Sequence, residues 1–208
     1  MRNNKGFTLV ELAVVLVIIG IILGAVIKGQ DLVDNARAKQ FTNNIKTWQI
    51  ALSAYFDRKG RYPGDADKNG IIGDGDPKVD IVAAKFTGLP QDSAGNTINT
   101  FTMGQNTYYI KIGNDGAVAP ATPKNIIKIC ASADCATVFN SEALKMAEAF
   151  NTAMTGSADA KGATVYGVTT AGTVDDTKWL VTGAGTKAAA DTDWLTYTTI
   201  NGLVYVLQ

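Results

Sequence analysis

The sequence predicts an α+β protein: a long N-terminal helix, transmembrane then amphipathic, packed on an antiparallel β-sheet head. Three observations carry this. The run from Phe7 to Ile27 is 21 residues long, and Glu11 is its single ionisable group. Further on, Phe41, Ile45, Trp48, Leu52 and Tyr55 recur at steps of four and three, which is one face of an amphipathic helix. After that, short β-rich runs alternate with clusters of Gly, Asn, Asp and Pro, the punctuation of strands and turns. The expected organisation is a polar leader over 1–6, a helix over 7–59 and a globular head over 60–208. Within the helix, 7–27 is the membrane span and 28–59 the amphipathic part.

The apolar run is long enough to cross a bilayer, which takes about 20 residues of helix. A secretory signal has a shorter apolar core, of about 7–15 residues, and a small-residue cleavage site. Here Lys28-Gly29-Gln30 follows instead. An ordinary single-pass anchor explains the apolar run and leaves Glu11 unexplained. A carboxylate in a span costs roughly 2.5–3.5 kcal/mol on insertion scales and calls for a partner. The span itself contains no Lys, Arg or His. The leader Met1-Arg2-Asn3-Asn4-Lys5-Gly6 points to one: cutting after Gly6 creates an α-amino group at Phe7. That amine lies about one helical turn from Glu11 in its own chain, or meets the Glu11 of a staggered neighbour.

Gly6-Phe7-Thr8-Leu9-Val10-Glu11-Leu12 resembles the signature of the type IV pilin and pseudopilin superfamily, a short basic leader, Gly, then Phe-Thr-Leu-(Val/Ile)-Glu and an apolar helix. The resemblance covers roughly residues 1–59. It implies cleavage between Gly6 and Phe7 by a prepilin peptidase, N-methylation of the Phe7 amine, and a role for Glu11 in subunit docking. It further implies a homo-oligomeric helical filament and partners in a pilus or secretion assembly machinery. Many major pilins carry a proline near the position of Lys28; this chain has none there, so a proline kink does not carry over. Gly20, Gly24 and Gly29 are either weak points in the helix or close-packing positions between helices.

Composition narrows the function. The chain has 19 basic and 19 acidic residues and no histidine. Loss of Arg2 and Lys5 with the leader leaves 17 basic against 19 acidic residues, a balance that argues against a nucleic-acid surface. Without histidine, the commonest general base and catalytic metal ligand is missing. No nucleotide loop, nucleophile motif or acid/base pair stands out, so the expectation is a protein that is not an enzyme.

The basic leader places its own end in the cytoplasm and the head outside, by the positive-inside rule. The expected location is the inner membrane, single-pass, and then an extracellular filament. Cys130 and Cys135 enclose Ala-Ser-Ala-Asp. In a reducing compartment they read as buried thiols or a poor metal pair; outside, where disulfides persist, a short-loop bridge is favoured. Such a loop shapes a turn more than it stabilises a domain.

The helix should emerge from the membrane bare, because the stripe fades before Ala38, and end at Gly60 and Pro63. Next comes Asp65-Ala66-Asp67-Lys68-Asn69-Gly70-Ile71-Ile72-Gly73-Asp74-Gly75-Asp76. Counted from Asp65, the oxygen ligands fall at positions 1, 3, 5 and 12, glycine at 6 and an apolar residue at 8. That is the register of a twelve-residue calcium loop. The expected ligands are Asp65, Asp67, Asn69, Asp76 and the Ile71 carbonyl. The alternative is a plain Asp/Asn/Gly turn cluster. Pro77 starts a short helix carrying Val79, Val82, Ala83 and Phe86, with proline at its first position.

In the head, Tyr108–Ile112 and Ile126–Ile129 read as strands and Ser141–Met154 as a helix. The Gly/Ala/Thr/Asp-rich tract after Gly156, with Val165-Tyr166 and Lys178–Val181, reads as an exposed loop, a variable surface or a site of O-linked glycans. Trp194–Ile200 and Leu203–Leu207 flank Asn201-Gly202, which predicts a hairpin with a type I′ turn. The leading functional reading is a structural subunit of a type IV pilus or related surface filament. The alternatives are a pseudopilin of a type II secretion system and a membrane-tethered binding module that does not polymerise.

Overall fold

The computed structural model describes residues 8–188 and 193–207. Its first element is helix α1, Leu9–Lys59. No proline interrupts it, and Arg58 and Lys59 sit in its last turn, where cations oppose the negative end of the helix dipole. Gly60 ends it at φ 67°, donating its N–H to the Phe56 carbonyl at 2.7 Å, a conformation that glycine adopts without steric cost.

Along α1 the chain divides after Arg37 into two compact units. In the first, the large apolar side chains from Leu9 to Ile27 are between 45% and 87% exposed. In the second, Phe41, Ile45, Trp48, Leu52 and Tyr55 are all buried, as the stripe requires. The Phe41 ring meets Phe101, Tyr108 and Phe150 edge-on at 5.1–6.2 Å, and Trp48 meets Trp179 at 6.1 Å.

The head adds α2 (Pro77–Ala84), α3 (Ser141–Thr155) and seven strands: β1 Thr100–Met103, β2 Asn106–Asn114, β3 Asn125–Cys130, β4 Val165–Val168, β5 Thr173–Asp175, β6 Leu180–Gly183 and β7 Gly202–Val206. The sheet runs β4-β7-β3-β2-β6-β5, with β1 paired to the first half of β2. Its pairs are antiparallel except β2 with β6, where Ile112 lies beside Leu180 in parallel. The fold is therefore α+β with a mostly antiparallel sheet. The inner face of β2 and β3, Ile110, Ile112, Ile127 and Ile129, packs with α3 residues Ala143, Ala147 and Phe150 and the buried stripe of α1 in one core. α3 is held at both ends: Asn140 accepts the Ala143 N–H, and Gly156 closes it at φ 76°, the expected pair of caps.

Two expectations for the head are corrected. The tract after Gly156 is not an exposed loop: it supplies β4, β5 and β6. Val168 and Val181 are fully buried on the outer sheet face with Ile126 and Val204. The terminal hairpin also does not form. Trp194–Thr196 is a turn of 3-10 helix capped by the Asp193 carboxylate, and the Trp194 side chain is fully buried. Asn201 instead donates its N–H to Val168, and β7 pairs with β3 and β4. Burial of the indole overrides the local turn preference of Asn-Gly.

The outer face also holds two lysines. Lys111 and Lys128 are opposite each other on β2 and β3, and both are fully buried. Lys111 pairs with Asp176. Lys128 donates to the carbonyls of Ala184 at 2.9 Å, Thr170 at 3.4 Å and Ala171. The excursion from Thr169 to Lys187 covers both, with Thr169 and Thr186 bonded at its neck. Burial pushes the Lys128 ammonium down to about 8.

Candidate functional site

The candidate site at the start of the chain begins with Gly6 and Phe7, which lie outside the described residues. Directly after them, Thr8 and Glu11 form a reciprocal cap. The Thr8 hydroxyl accepts the Glu11 N–H at 3.3 Å. Glu11 Oε2 in turn accepts the Thr8 N–H at 2.8 Å and its hydroxyl at 2.9 Å. Thr-x-x-Glu is the capping-box pattern, in which each end satisfies a donor the helix leaves unpaired. The pattern is visible in the residues themselves, yet Thr8 is a functional candidate that reading the sequence for chemistry alone passes over. Both bonds from Thr8 converge on the same carboxylate oxygen, Oε2. The carboxylate is thus fixed at the head of an exposed apolar helix. That helix is the one among the described residues long and apolar enough to cross a membrane.

The second candidate is the acidic loop. Asp65 is fully buried and accepts the N–H groups of Asn69 at 3.1 Å and Gly70 at 3.0 Å. Asp67 accepts from the Asn69 backbone and side chain at 3.0 and 2.8 Å. Asn69 uses its own oxygen to accept the Ile71 N–H at 2.7 Å. The structure brings Asp65 and Asp67 together with Asp74, one carboxylate oxygen of each lying within 4.8 Å of the others. Asp76, expected in that place, stands apart: its carboxylate accepts the Val79 N–H at 3.1 Å as the N-cap of α2.

Two local causes produce the exchange. Pro77 begins a helix directly after Asp76, and first-turn N–H groups recruit a preceding carboxylate. Gly73 and Gly75 both donate to the Gly64 carbonyl at 3.0 Å, folding the chain back so that Asp74 accepts from Ala66 and Asp67 at 2.8 and 2.9 Å. The Ala66 N–H above all holds the Asp74 carboxyl below its usual range. The loop is tied to the sheet by Asn125, which accepts from Ile72 at 2.8 Å and donates to Gly70 at 2.7 Å.

Beside the loop, Arg61 grips Asp80 through two bonds of 2.8 and 2.9 Å, and the Gly64 N–H adds a third at 2.8 Å. Burial pushes the Asp80 carboxyl up, but Arg61, Gly64 and the Tyr55 hydroxyl together hold it below its usual value. Gly64, at φ 79°, leaves no room for a side chain: a Cβ there would lie 2.6 Å from the Pro77 ring.

Cys130 and Cys135 form a disulfide with Cα atoms 5.0 Å apart, and both residues are buried. The bridge anchors the end of β3, where Cys130 pairs with Tyr109 and Gly202.

Comparison with known proteins bears on the first site. The family model described as the prokaryotic N-terminal methylation motif matches residues 1–27. The toxin coregulated pilin of Vibrio cholerae serotype O1 is 29% identical over 117 residues, which cover 49% of this chain and 52% of that protein. The chain thus spans about half the length of the curated relative it matches. No solved structure matches it. With the methylation motif on the apolar helix, likeness to a pilin, and an α+β head, the chain is similar to the type IV pilins.

Proposed function

We propose that this protein is the structural subunit of a type IV pilus or related surface filament. A prepilin peptidase cuts between Gly6 and Phe7, the new Phe7 amine is N-methylated, and the chain waits in the inner membrane with its head outside the cytoplasm. Assembly machinery then draws it into a homo-oligomeric helical filament whose core is made of the α1 helices. The observation that carries the reading is the N-terminal unit itself: an apolar helix exposed on every side, with one carboxylate fixed at its start by Thr8. Such a surface requires either lipid or like helices around it, and Glu11 supplies the polar contact that sets register between neighbours. The likeness to a named pilin supports a filament subunit, and the pseudopilin of a type II secretion system is the alternative within the same reading. The role is structural, and no reaction is assigned to the head.

The experiment is genetic and compositional. Deleting the gene should remove a surface filament, and the sheared filament should contain this chain as its bulk protein. Cells that keep the filament, or a filament made of another protein, would overturn the reading.

Calcium is the proposed ligand of the loop, with Asp74 replacing Asp76 among the donors. Each carboxylate of Asp65, Asp67 and Asp74 is oriented by N–H bonds and keeps lone pairs for a cation, which suits a hard ion taking six to eight oxygens. Three clustered carboxylates also repel one another, and a divalent ion reverses that repulsion.

A further inference from the structure

At the end of α1, beside α2, lies a recess of about 490 Å³. Tyr55, Arg58, Lys59, Arg61 and Asp80 line it, with Ala83 and Ala84 as an apolar wall. Three cations there face a single carboxylate. That carboxylate is already engaged: Asp80 takes both arms of Arg61, the Gly64 N–H and the Tyr55 hydroxyl. Arg61 is equally committed, giving its remaining bonds to the carbonyls of Tyr62 and Asp65.

Arg58 and Lys59 differ. The Arg58 guanidinium lies over the Phe86 ring, 5.0 Å from its centroid. Among the described residues, neither Arg58 nor Lys59 has a carboxylate or carbonyl partner. Opposing the helix dipole accounts for basic residues in a last turn. It requires neither a guanidinium seated over a ring nor a recess beside it.

We propose that this recess binds a carboxylate, held by Arg58 and Lys59. A guanidinium seated over a ring keeps N–H groups available for the two oxygens of a carboxylate. The ring contact restricts the side chain in advance, so less freedom is lost on binding. The volume suits a small molecule, for which pockets span about 300–1,000 Å³, and the alanine wall accepts an apolar body. Asp80 in the lining repels a second negative charge, which favours a monoanionic carboxylate over a phosphate dianion. Two sources present this chemistry: a free organic acid, such as a uronic acid, and an aspartate or glutamate of a second copy of the chain.

The test uses the full chain purified in detergent micelles, so it does not depend on filament formation. In the first arm, glucuronate and its neutral methyl ester are titrated calorimetrically. For a free acid as the source, glucuronate binds and the ester does not. Arg58→Gln then weakens binding by about tenfold, the loss of one strong charged contact, while Lys145→Gln on α3 leaves it unchanged. In the second arm, self-association is measured by sedimentation. For a second copy as the source, Arg58→Gln and Arg58→Glu weaken association progressively and added salt mimics them. Arg58→Lys keeps the charge without the fork and falls between wild type and Arg58→Gln in whichever arm responds. Near-UV circular dichroism confirms that each variant remains folded. If glucuronate does not bind and self-association is the same in wild type and Arg58→Glu, the proposal is overturned.

Discussion

Glu11 and Thr8 each complete the other's hydrogen bonding: the carboxylate takes the Thr8 N–H at 2.8 Å, and the Thr8 hydroxyl takes the Glu11 N–H at 3.3 Å. The acidic side chain therefore has a local role in starting the helix as well as the intermolecular one proposed for it. Removing the Thr8 hydroxyl takes away one of the two bonds that orient the carboxylate and leaves the one from the Thr8 N–H.

The two roles separate by mutation. Glu11→Val should leave the span inserted, with a more apolar helix, and abolish filament assembly. Thr8→Ala should weaken the cap by about 1 kcal/mol and lower filament yield without removing it, and Thr8→Ser should restore the yield. Membrane fractionation and quantification of sheared filaments check both. Normal yield from Glu11→Val would sink the docking role.

The acidic loop gives a second separation. If calcium sits on Asp65, Asp67 and Asp74, ten millimolar calcium should raise the melting temperature of the detergent-solubilised protein by about 3–8 °C over chelator. That range follows from extracellular-type affinities of roughly 10⁻⁴–10⁻³ M. Asp74→Asn should remove the shift. Asp76→Ala should keep it, while lowering the melting point with or without calcium because α2 loses its cap. A shift that survives Asp74→Asn and vanishes in Asp76→Ala would restore Asp76 as the ligand.

Acid should loosen the joint between α1 and α2. Asp80 is held below its ordinary value of 3.8. The stability it contributes is therefore complete above that pH and lost as pH falls through the depressed native value. Urea unfolding followed from pH 6 to pH 2.5 should show wild type losing stability more steeply than Asp80→Asn. Parallel curves would show that the Arg61–Asp80 pair contributes nothing to acid sensitivity.

Lys128 should act in the same sense in a separate window, at high pH. Its native value is about 8 against an ordinary 10.5. Between these, the unfolded chain holds a proton that the native lysine has released, so native stability rises with pH across that window. Comparing wild type with Lys128→Met at pH 7.5 and 9.5 should reveal this rise in wild type and its reduction in the variant. Equal slopes would place the ammonium in a better-compensated site than its burial implies.

Much of the fold is legible in the residues because it depends on local periodicity. The stripe from Phe41 to Tyr55 names the buried face of α1, and Ser141 to Met154 names α3 almost to its last residue. The features that escape depend on parts of the chain that meet only after folding. Lys111 and Lys128 alternate with isoleucines and read as the wet side of two strands. They are buried because the excursion from Thr169 to Lys187 returns over them. Asp76 has the right position in a linear count, but the chain reverses at the Gly64 carbonyl and delivers Asp74 instead. The Asn201-Gly202 turn loses to the burial of Trp194, which no window of neighbouring residues contains. Thr8 is the exception, a local signal easily overlooked because Glu11 already has a longer-range explanation.

On the proposed function, the chain is processed at its N-terminus and assembled through the helix beyond it. Intact-mass analysis of protein sheared from the cell surface tests it most directly. The expected result is a single species that begins at Phe7 and carries one methyl group on its α-amine, with Met1 to Gly6 absent. Surface material that retains Met1, or that begins elsewhere along the apolar run, would contradict it.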